Sequence, residues 1–214
     1  MANKSEPHIR ETLIKPDSRR SLQAQVSEAI ENGFQRIILE GIFTANGQRP
    51  FSLLGLSKDV EIVGRDGATL DGENQVSHLV FIADGARVKI KGITFINGNT
   101  AEKRSQLNLD NHPQTRLNVF RYLDGGAMTI GAGSEVVLED CVFRSNHSAV
   151  CGGAISNAGG YLHLTKCSFS NNTCGDTGAA IDSLARGSLT VIDSCQFSEN
   201  EANKLGNGRY GSVT

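Results

Sequence analysis

The chain has 214 residues, 38% of them hydrophobic, and a formal net charge of -2. That length accommodates one domain with a real core, and the scattered basic residues exclude the electrostatic footprint needed to grip nucleic acid. Twenty-four glycines, four prolines and no tryptophan favour many short strands over a helical bundle.

Residues 1–16 read as a polar N-terminal arm, in which Arg10 and Lys15, together with Arg19 and Arg20 just beyond it, are solvated charges. No stretch has the apolar core of a signal peptide or the roughly twenty apolar residues of a membrane span. The sequence as written therefore predicts a chain of the cytoplasm or another non-exported compartment, without a membrane span. Residues 17–214 read as a single β domain. It opens on a helix over 18–33, where Leu22, Val26, Ala29 and Ile30 fall at helical spacing, a serine is available as N-cap, and Gly33 follows Asn32 as a stop. Such a helix covers the exposed edge of the first coil, "QRIILEGIFTANG".

From residue 35 onward the chain repeats itself. Four segments align: "GITFINGN" from Gly92, "CVFRSN" from Cys141, "CSFSNN" from Cys167 and "CQFSEN" from Cys195. Leu70 continues the series N-terminally, about 25 residues before Phe95. A second phrase keeps step: "GGAM" at 125, "GGAI" at 152, "GAAI" at 178 and "GSV" at 211, with Ile82 of "LVFI" aligned to Ile155 and Ile181. Between them lie short alternating segments, "ARVKIKGI", "SEVVLEDC", "YLHLTKC" and "SLTVIDSC". A unit of about 26 residues with two or three strands cannot bury its own apolar face, so units must stack into a solenoid of five to six coils.

Stacking assigns the repeated residues. Phe95, Phe143, Phe169 and Phe197 form an inward aromatic column. Ile93, Cys141, Cys167 and Cys195 form an inward column two residues earlier, in which the thiols act as small hydrophobes. Asn146, Asn172 and Asn200 occupy a bend where amides bond to one another, which is also the assignment for the asparagines of the glycosylation sequons at 146 and 171. Small residues around Ala127, Ala154 and Ala180 suit a tight corner. Five cysteines without a Cys-x-x-Cys pair predict reduced thiols and no metal. "GNGRYG" at 206–211 matches a dinucleotide-binding pattern but lacks the preceding strand and following helix.

The "GGAI" and "FxxN" phrases, over roughly residues 88–214, resemble the repeats of the polymorphic outer membrane proteins of chlamydiae. The N-terminal half, "SLQAQVSEAIENGFQRIILEGIF" followed by "VEIVGRDGATLDGE", is similar to the opening of pectin-lyase-like proteins. Both resemblances imply a right-handed parallel β-helix, in a superfamily that includes polysaccharide lyases, hydrolases and adhesins.

The candidate site sits at the one large irregularity. From Phe95 to Met128 the chain takes 33 residues where Phe143 to Ile155 takes 12, so an insertion at about 100–124 protrudes between two coils. It carries His112, Arg116, Arg121, Tyr122 and Asp124 and overhangs His147, Cys151 and Asp176; a partly ordered loop without a ligand is the plainer alternative. Cys151 and Cys174 stand outside the thiol column, as a thiol pair, a metal site with His147, or unrelated loop residues. Outward positions after the "GGAI" strand read Thr129, Ser156, Asp182 and Thr214. The opposite alternation gives Lys89, Lys91, Glu139, His163 and Asp193, the mixture of a solvated face.

The expectation is a non-catalytic binding or scaffolding module that engages a protein or glycan through Arg116, Arg121, Tyr122, Asp124, His147 and Asp176, with no cofactor. A carbohydrate-active enzyme is the alternative, drawing on Asp110, Arg121, Asp124, Asp176 and Asp182, and calcium enters only under a lyase reading. A further alternative is an assembly component stacking end to end through its C-terminal coil.

Overall fold

The computed structural model describes residues 9–48, 50, 52–100, 124–183 and 186–203; Asp110, His112, Arg116, Arg121, Tyr122 and the "GSV" phrase lie outside them. Strand β1 (Glu11–Ile14) falls inside the stretch read above as a polar arm. It runs parallel to the strand at 36–43, pairing Glu11 with Arg36 and Ile14 with Leu39, and its Ile14 is buried. Helix α1 (Leu22–Glu31) follows, starting later than residue 18 because the Ser21 hydroxyl caps the Ala24 amide at 3.2 Å. It stops where Gly33 turns left-handed. Leu22, Val26 and Ala29 bury one face of the helix.

The coils follow in chain order. The first holds β2 (Arg36–Phe43) and β3 (Ser52–Leu56); the second, β4 (Val60–Asp71) and β5 (His78–Ile82). The third holds β6 (Arg87–Lys91), β7 (Thr94–Ile96) and, beyond the insertion, β8 (Met128–Ile130). The fourth comprises β9 (Glu135–Glu139), β10 (Val142–Arg144), β11 (His147–Ser148) and β12 (Ile155–Asn157). The fifth comprises β13 (Tyr161–Thr165), β14 (Ser168–Ser170), β15 (Thr173–Cys174) and β16 (Ile181–Asp182). The last described coil holds β17 (Leu189–Asp193), β18 (Gln196–Ser198) and β19 (Glu201–Ala202). Every pairing between these strands is parallel, and together they make a parallel β-helix of about six turns.

Helix α1 closes one end. The Gln23 amide donates to the Gly55 carbonyl (3.2 Å) and accepts from the Gly55 amide, so at that residue of β3 it supplies both bonds that a neighbouring strand would have made.

The interior is built from like residues in register. Phe143 pairs with Phe95 on one side and Phe169 on the other, and Phe169 with Phe197. Ring centroids are 4.7, 4.8 and 5.0 Å apart with planes within 9° of parallel, which is offset stacking at the inter-strand repeat. Asn146 Nδ2 donates to Asn172 Oδ1 (3.0 Å) and Asn172 Nδ2 to Asn200 Oδ1 (2.9 Å); each amide also donates to the carbonyl of a phenylalanine one coil earlier. Gly98 N–H closes the ladder on Asn146 Oδ1 at 3.0 Å.

Two expectations change. Val80, not Ile82, stands in register with Met128 and therefore with Ile155; the second coil reaches this sheet by a different path, and counting from Leu70 slips the alignment by two residues. Asn171 of the second sequon is not in the ladder: it is exposed at φ 54°, a left-handed bend, and Asn172 takes the buried place. The tight corner expected of the small residues around Ala127, Ala154 and Ala180 is made by the glycines beside them. Gly152 has φ 66°, and a Cβ on Gly153 would lie 2.0 Å from the Ala179 carbonyl oxygen, while Ala127, Ala154 and Ala180 face the core.

Candidate functional site: the corner at the root of the insertion

Where the insertion rejoins the solenoid, the corners of three coils lie one above another. Gly125 N–H donates to the Cys151 carbonyl (3.0 Å) and Gly152 N–H to the Thr177 carbonyl (3.1 Å), so 124–126, 151–153 and 177–179 are successive rungs. Asp124, Cys151 and Thr177 thus form one stack. The Asp124 carboxylate accepts the Cys151 amide at 3.0 Å, its carbonyl accepts the Thr129 hydroxyl at 2.9 Å, and Cys151 Sγ lies 3.4 Å from Thr177 Oγ1. The corner folds back over the strand that follows it. For that reason Thr129 and Ser156, expected to point outward, are buried, and Asp182 in the same register is half-buried.

The same i to i+3 bond braces the second and third of these corners from below. Ser148 Oγ donates to the Cys151 carbonyl (2.7 Å), and Cys174 Sγ occupies the equivalent place under the Thr177 carbonyl (3.2 Å). Cys174 is therefore a buried strand residue, in register with Ser148, and both it and Cys151 are free thiols. His147 Nδ1 meets Thr173 Oγ1 at 2.8 Å, and burial lowers its pKa. His78 is fully buried with Nδ1 2.8 Å from the Gly125 carbonyl, which requires the proton on Nδ1.

The electrostatics of this corner are unusual for the molecule. Burial raises the Asp124 carboxyl to about 7, and the neighbouring charges of Asp182 and Asp176 push in the same direction against the Cys151 hydrogen bond. Asp182 is raised to about 6, by burial and then by Asp176. Among the described residues no Lys or Arg pairs with Asp124, Asp176 or Asp182. Nor do three His, Cys, Asp or Glu side chains among them converge in a metal-binding arrangement. Burial likewise raises Cys151, and Cys174 to about 11, so neither thiol is an activated nucleophile.

Of the residues singled out from sequence, the structure brings together Asp124, Cys151, Asp176 and Asp182. Sequence reasoning missed Thr177, Thr129 and His78. Thr177 was findable as the rung above Cys151, but the two-residue slip in the second coil hid His78.

A shallow groove of about 490 Å³ lies elsewhere, across the outer faces of β4, β6 and β9. Its rim charges pair with one another, Arg87 with Asp59 at 3.5 Å and Lys89 with Glu61 at 3.6 Å, over Val60, Val88 and Val137.

Residues 140–158 match the Chlamydia polymorphic membrane protein (Chlamydia_PMP) repeat. No curated protein and no solved structure gives a significant match to the chain. The matched stretch runs from the left-handed Asp140 through Phe143, Asn146 and the Gly152–Ile155 corner, so the chain is a parallel β-helix with Pmp-like repeats. Asp124, Asp176 and Asp182 fall outside the match. Among the described residues no helix is long and apolar enough to cross a membrane.

Proposed function

We propose that the chain is a non-catalytic binding module that engages a protein or glycan through the flank at the root of the insertion. The observation that carries this reading is the cluster of Asp124, Asp176 and Asp182, in which burial and then like charge disfavour ionisation of Asp124 and Asp182 and no Lys or Arg among the described residues pairs with any of the three, whereas Glu40, Glu61 and Glu139 on the coils each pair with Lys or Arg. A partner bringing an ammonium or guanidinium group would relieve that repulsion. The repeated phenylalanines, asparagines and glycines are packed inside or at corners and hold the scaffold, which leaves the contacts to residues that break the repeat.

The experiment is a panel of purified glycans and basic proteins presented to the chain and to a variant with Asp124→Asn, Asp176→Asn and Asp182→Asn. Binding that weakens about tenfold or more in the variant, and that fades with salt, supports the reading. Cleavage of any polysaccharide by the unaltered chain would replace it with the carbohydrate-active alternative.

A second reading, end-to-end assembly, draws on one observation. Ile192 of the last described coil is 48% exposed while its register partner on β13, Leu164, is buried, and Leu189 and Val191 on the opposite face, in register with half-buried Tyr161 and His163, are 55% and 38% exposed. Concentration-dependent association that disappears in Leu189→Lys, Ile192→Lys would support it.

A further inference from the structure

The thiol column does more than fill space at one end of the helix. Cys141, Cys167 and Cys195 immediately precede β10, β14 and β18, whose first residues Val142, Ser168 and Gln196 are in register. Successive thiols are therefore one rung apart. Each sulfur leans toward the coil before it: Cys167 Sγ reaches the Leu138 carbonyl (3.5 Å), Cys141 Sγ the Ile90 carbonyl (3.7 Å), and Cys195 Sγ lies 3.3 Å from the Cys167 amide. Cys141 and Cys167 are buried, whereas Cys195 is only half-buried.

We propose that Cys195 is an oxidation site and that it closes a reversible disulfide with Cys167, clipping the last described coil to the one beneath it. In-register parallel strands place the two Cα atoms about 4.8 Å apart, inside the roughly 4.4–6.8 Å that a disulfide spans. Both Cβ atoms point inward, so the bond needs only a side-chain rotation by one of the two sulfurs. Cys195 is half-exposed, so a small thiol such as reduced glutathione can reach the bond and reopen it. Cys141 is not the partner, because Cys167 stands between it and the accessible thiol. Cys151 and Cys174 are a poorer pair: they belong to different stacks as well as different rungs, one under Thr177 and one three residues before it.

The oxidant is a low-molecular-weight disulfide such as oxidised glutathione. Cys195 loses its proton to solvent and its thiolate attacks one glutathione sulfur, breaking that S–S bond and releasing one glutathione thiolate. The Cys167 sulfur then attacks Cys195 of the mixed disulfide, releasing the second glutathione, whose sulfur takes up the Cys167 proton. Two protein thiols are oxidised to one disulfide and one glutathione disulfide is reduced to two thiols. Burial holds the Cys195 thiol above its ordinary range, so the first step speeds up as pH rises.

The test is incubation of the folded full chain with graded ratios of reduced to oxidised glutathione, followed by alkylation of remaining thiols and peptide mapping by mass spectrometry. The expected product is a cross-link between the Cys167 and Cys195 peptides with the mass loss of two hydrogens. It should be reversed by excess reduced glutathione, absent in Cys195→Ser and retained in Cys151→Ser. Native circular dichroism of Cys195→Ser and, separately, of Cys195→Val ensures that loss of the cross-link is not loss of the fold. The clipped form should also release the β17–β19 segment several-fold more slowly in limited proteolysis. A stable mixed disulfide at Cys195 with Cys167 still free, a cross-link through Cys141, Cys151 or Cys174 instead, or no cross-link without denaturant would each overturn the proposal.

Discussion

The asparagine ladder and the insertion corner both bring polar side chains close together on the solenoid, with opposite results. In the ladder one side chain recurs from coil to coil at the inter-strand spacing, whereas the corner gathers carboxylates from different positions: Asp124 in the stack of Cys151 and Thr177, Asp182 in that of Thr129 and Ser156, and Asp176 beside Thr177. Asn146, Asn172 and Asn200 gain from that recurrence because an amide is donor and acceptor at once, so each can give a hydrogen to its neighbour while accepting one from the backbone. Asp124 and Asp182 lose at the corner, because burial disfavours a charged carboxylate and the neighbouring Asp176 adds a like charge. A solenoid amplifies whatever chemistry a position holds. The scaffold is written in residues that tolerate repetition, and the corner stands out because its residues break the repeat.

The largest expected effect tests the scaffold side. Phe143 packs between two rings in the middle of the aromatic column, so Phe143→Ala removes both contacts and leaves a cavity that neighbouring coils cannot close. Chemical denaturation should show a loss of about 3–5 kcal/mol. A loss under about 1 kcal/mol would mean that the column is not what holds the coils in register.

Next comes a substitution that turns one side of the comparison into the other. Asn172→Asp replaces a buried amide by a carboxylate facing the Phe143 carbonyl and Asn200 Oδ1, both of them acceptors. At pH 7 it should cost about 2–4 kcal/mol, and acidification should recover part of that, since a protonated carboxyl regains one donor. Equal loss at pH 4 and pH 7 would show that shape, and not donor count, governs the ladder.

The reverse experiment is Asp124→Asn. The amide oxygen still accepts the Cys151 amide, while the buried charge is gone. The folded-state pKa of Asp124 lies above its unfolded value, so the protonated form is favoured by folding. Its contribution is fully present below about pH 4 and is lost as pH rises through about 7. Asp124→Asn should therefore stabilise at pH 8 by on the order of 1–2 kcal/mol, after allowance for solvent screening, and have little effect at pH 4. Urea midpoints at the two pH values check it. Destabilisation at pH 8 would indicate that a cation compensates this carboxylate.

These contrasts also explain what could be read from the sequence. The columns were legible because stacking repeats the residue type: the rings at 143, 169 and 197, the thiols two residues earlier and the asparagines three later are the register itself. The left-handed bends were not, because Asp140, Lys166 and Ser194 share a backbone conformation and no side-chain chemistry. Strand β1 was hidden by its charges: Glu11 faces out beside Arg36, and only Ile14 of its four residues is buried. At the corner, Asp124, Asp176 and Asp182 were each visible, but their mutual approach was not. Asp182 follows the glycine corner that covers its strand, and reading Thr129, Ser156 and Asp182 as outward ignored that cover.

The smallest effect belongs to the charged face, where repetition alternates in sign. Glu139 lies between Lys91 (2.7 Å) and Lys89 (4.0 Å), Glu61 between Arg36 (2.7 Å) and Lys89 (3.6 Å), and Glu40 joins Lys15 and Arg65. The Lys91 hydrogen bond holds the Glu139 carboxyl below its ordinary range. Its contribution is accordingly present above the unfolded pKa and lost as pH falls through the lower folded one, opposite in sign to Asp124. Because these side chains are well solvated, each pair adds little and is screened by salt. Glu139→Gln should leave the urea midpoint at pH 8 and moderate salt unchanged within error, and only slightly lowered in low salt. A shift at pH 8 as large as that of Asp124→Asn would erase the distinction between a face that neutralises itself and a corner that does not.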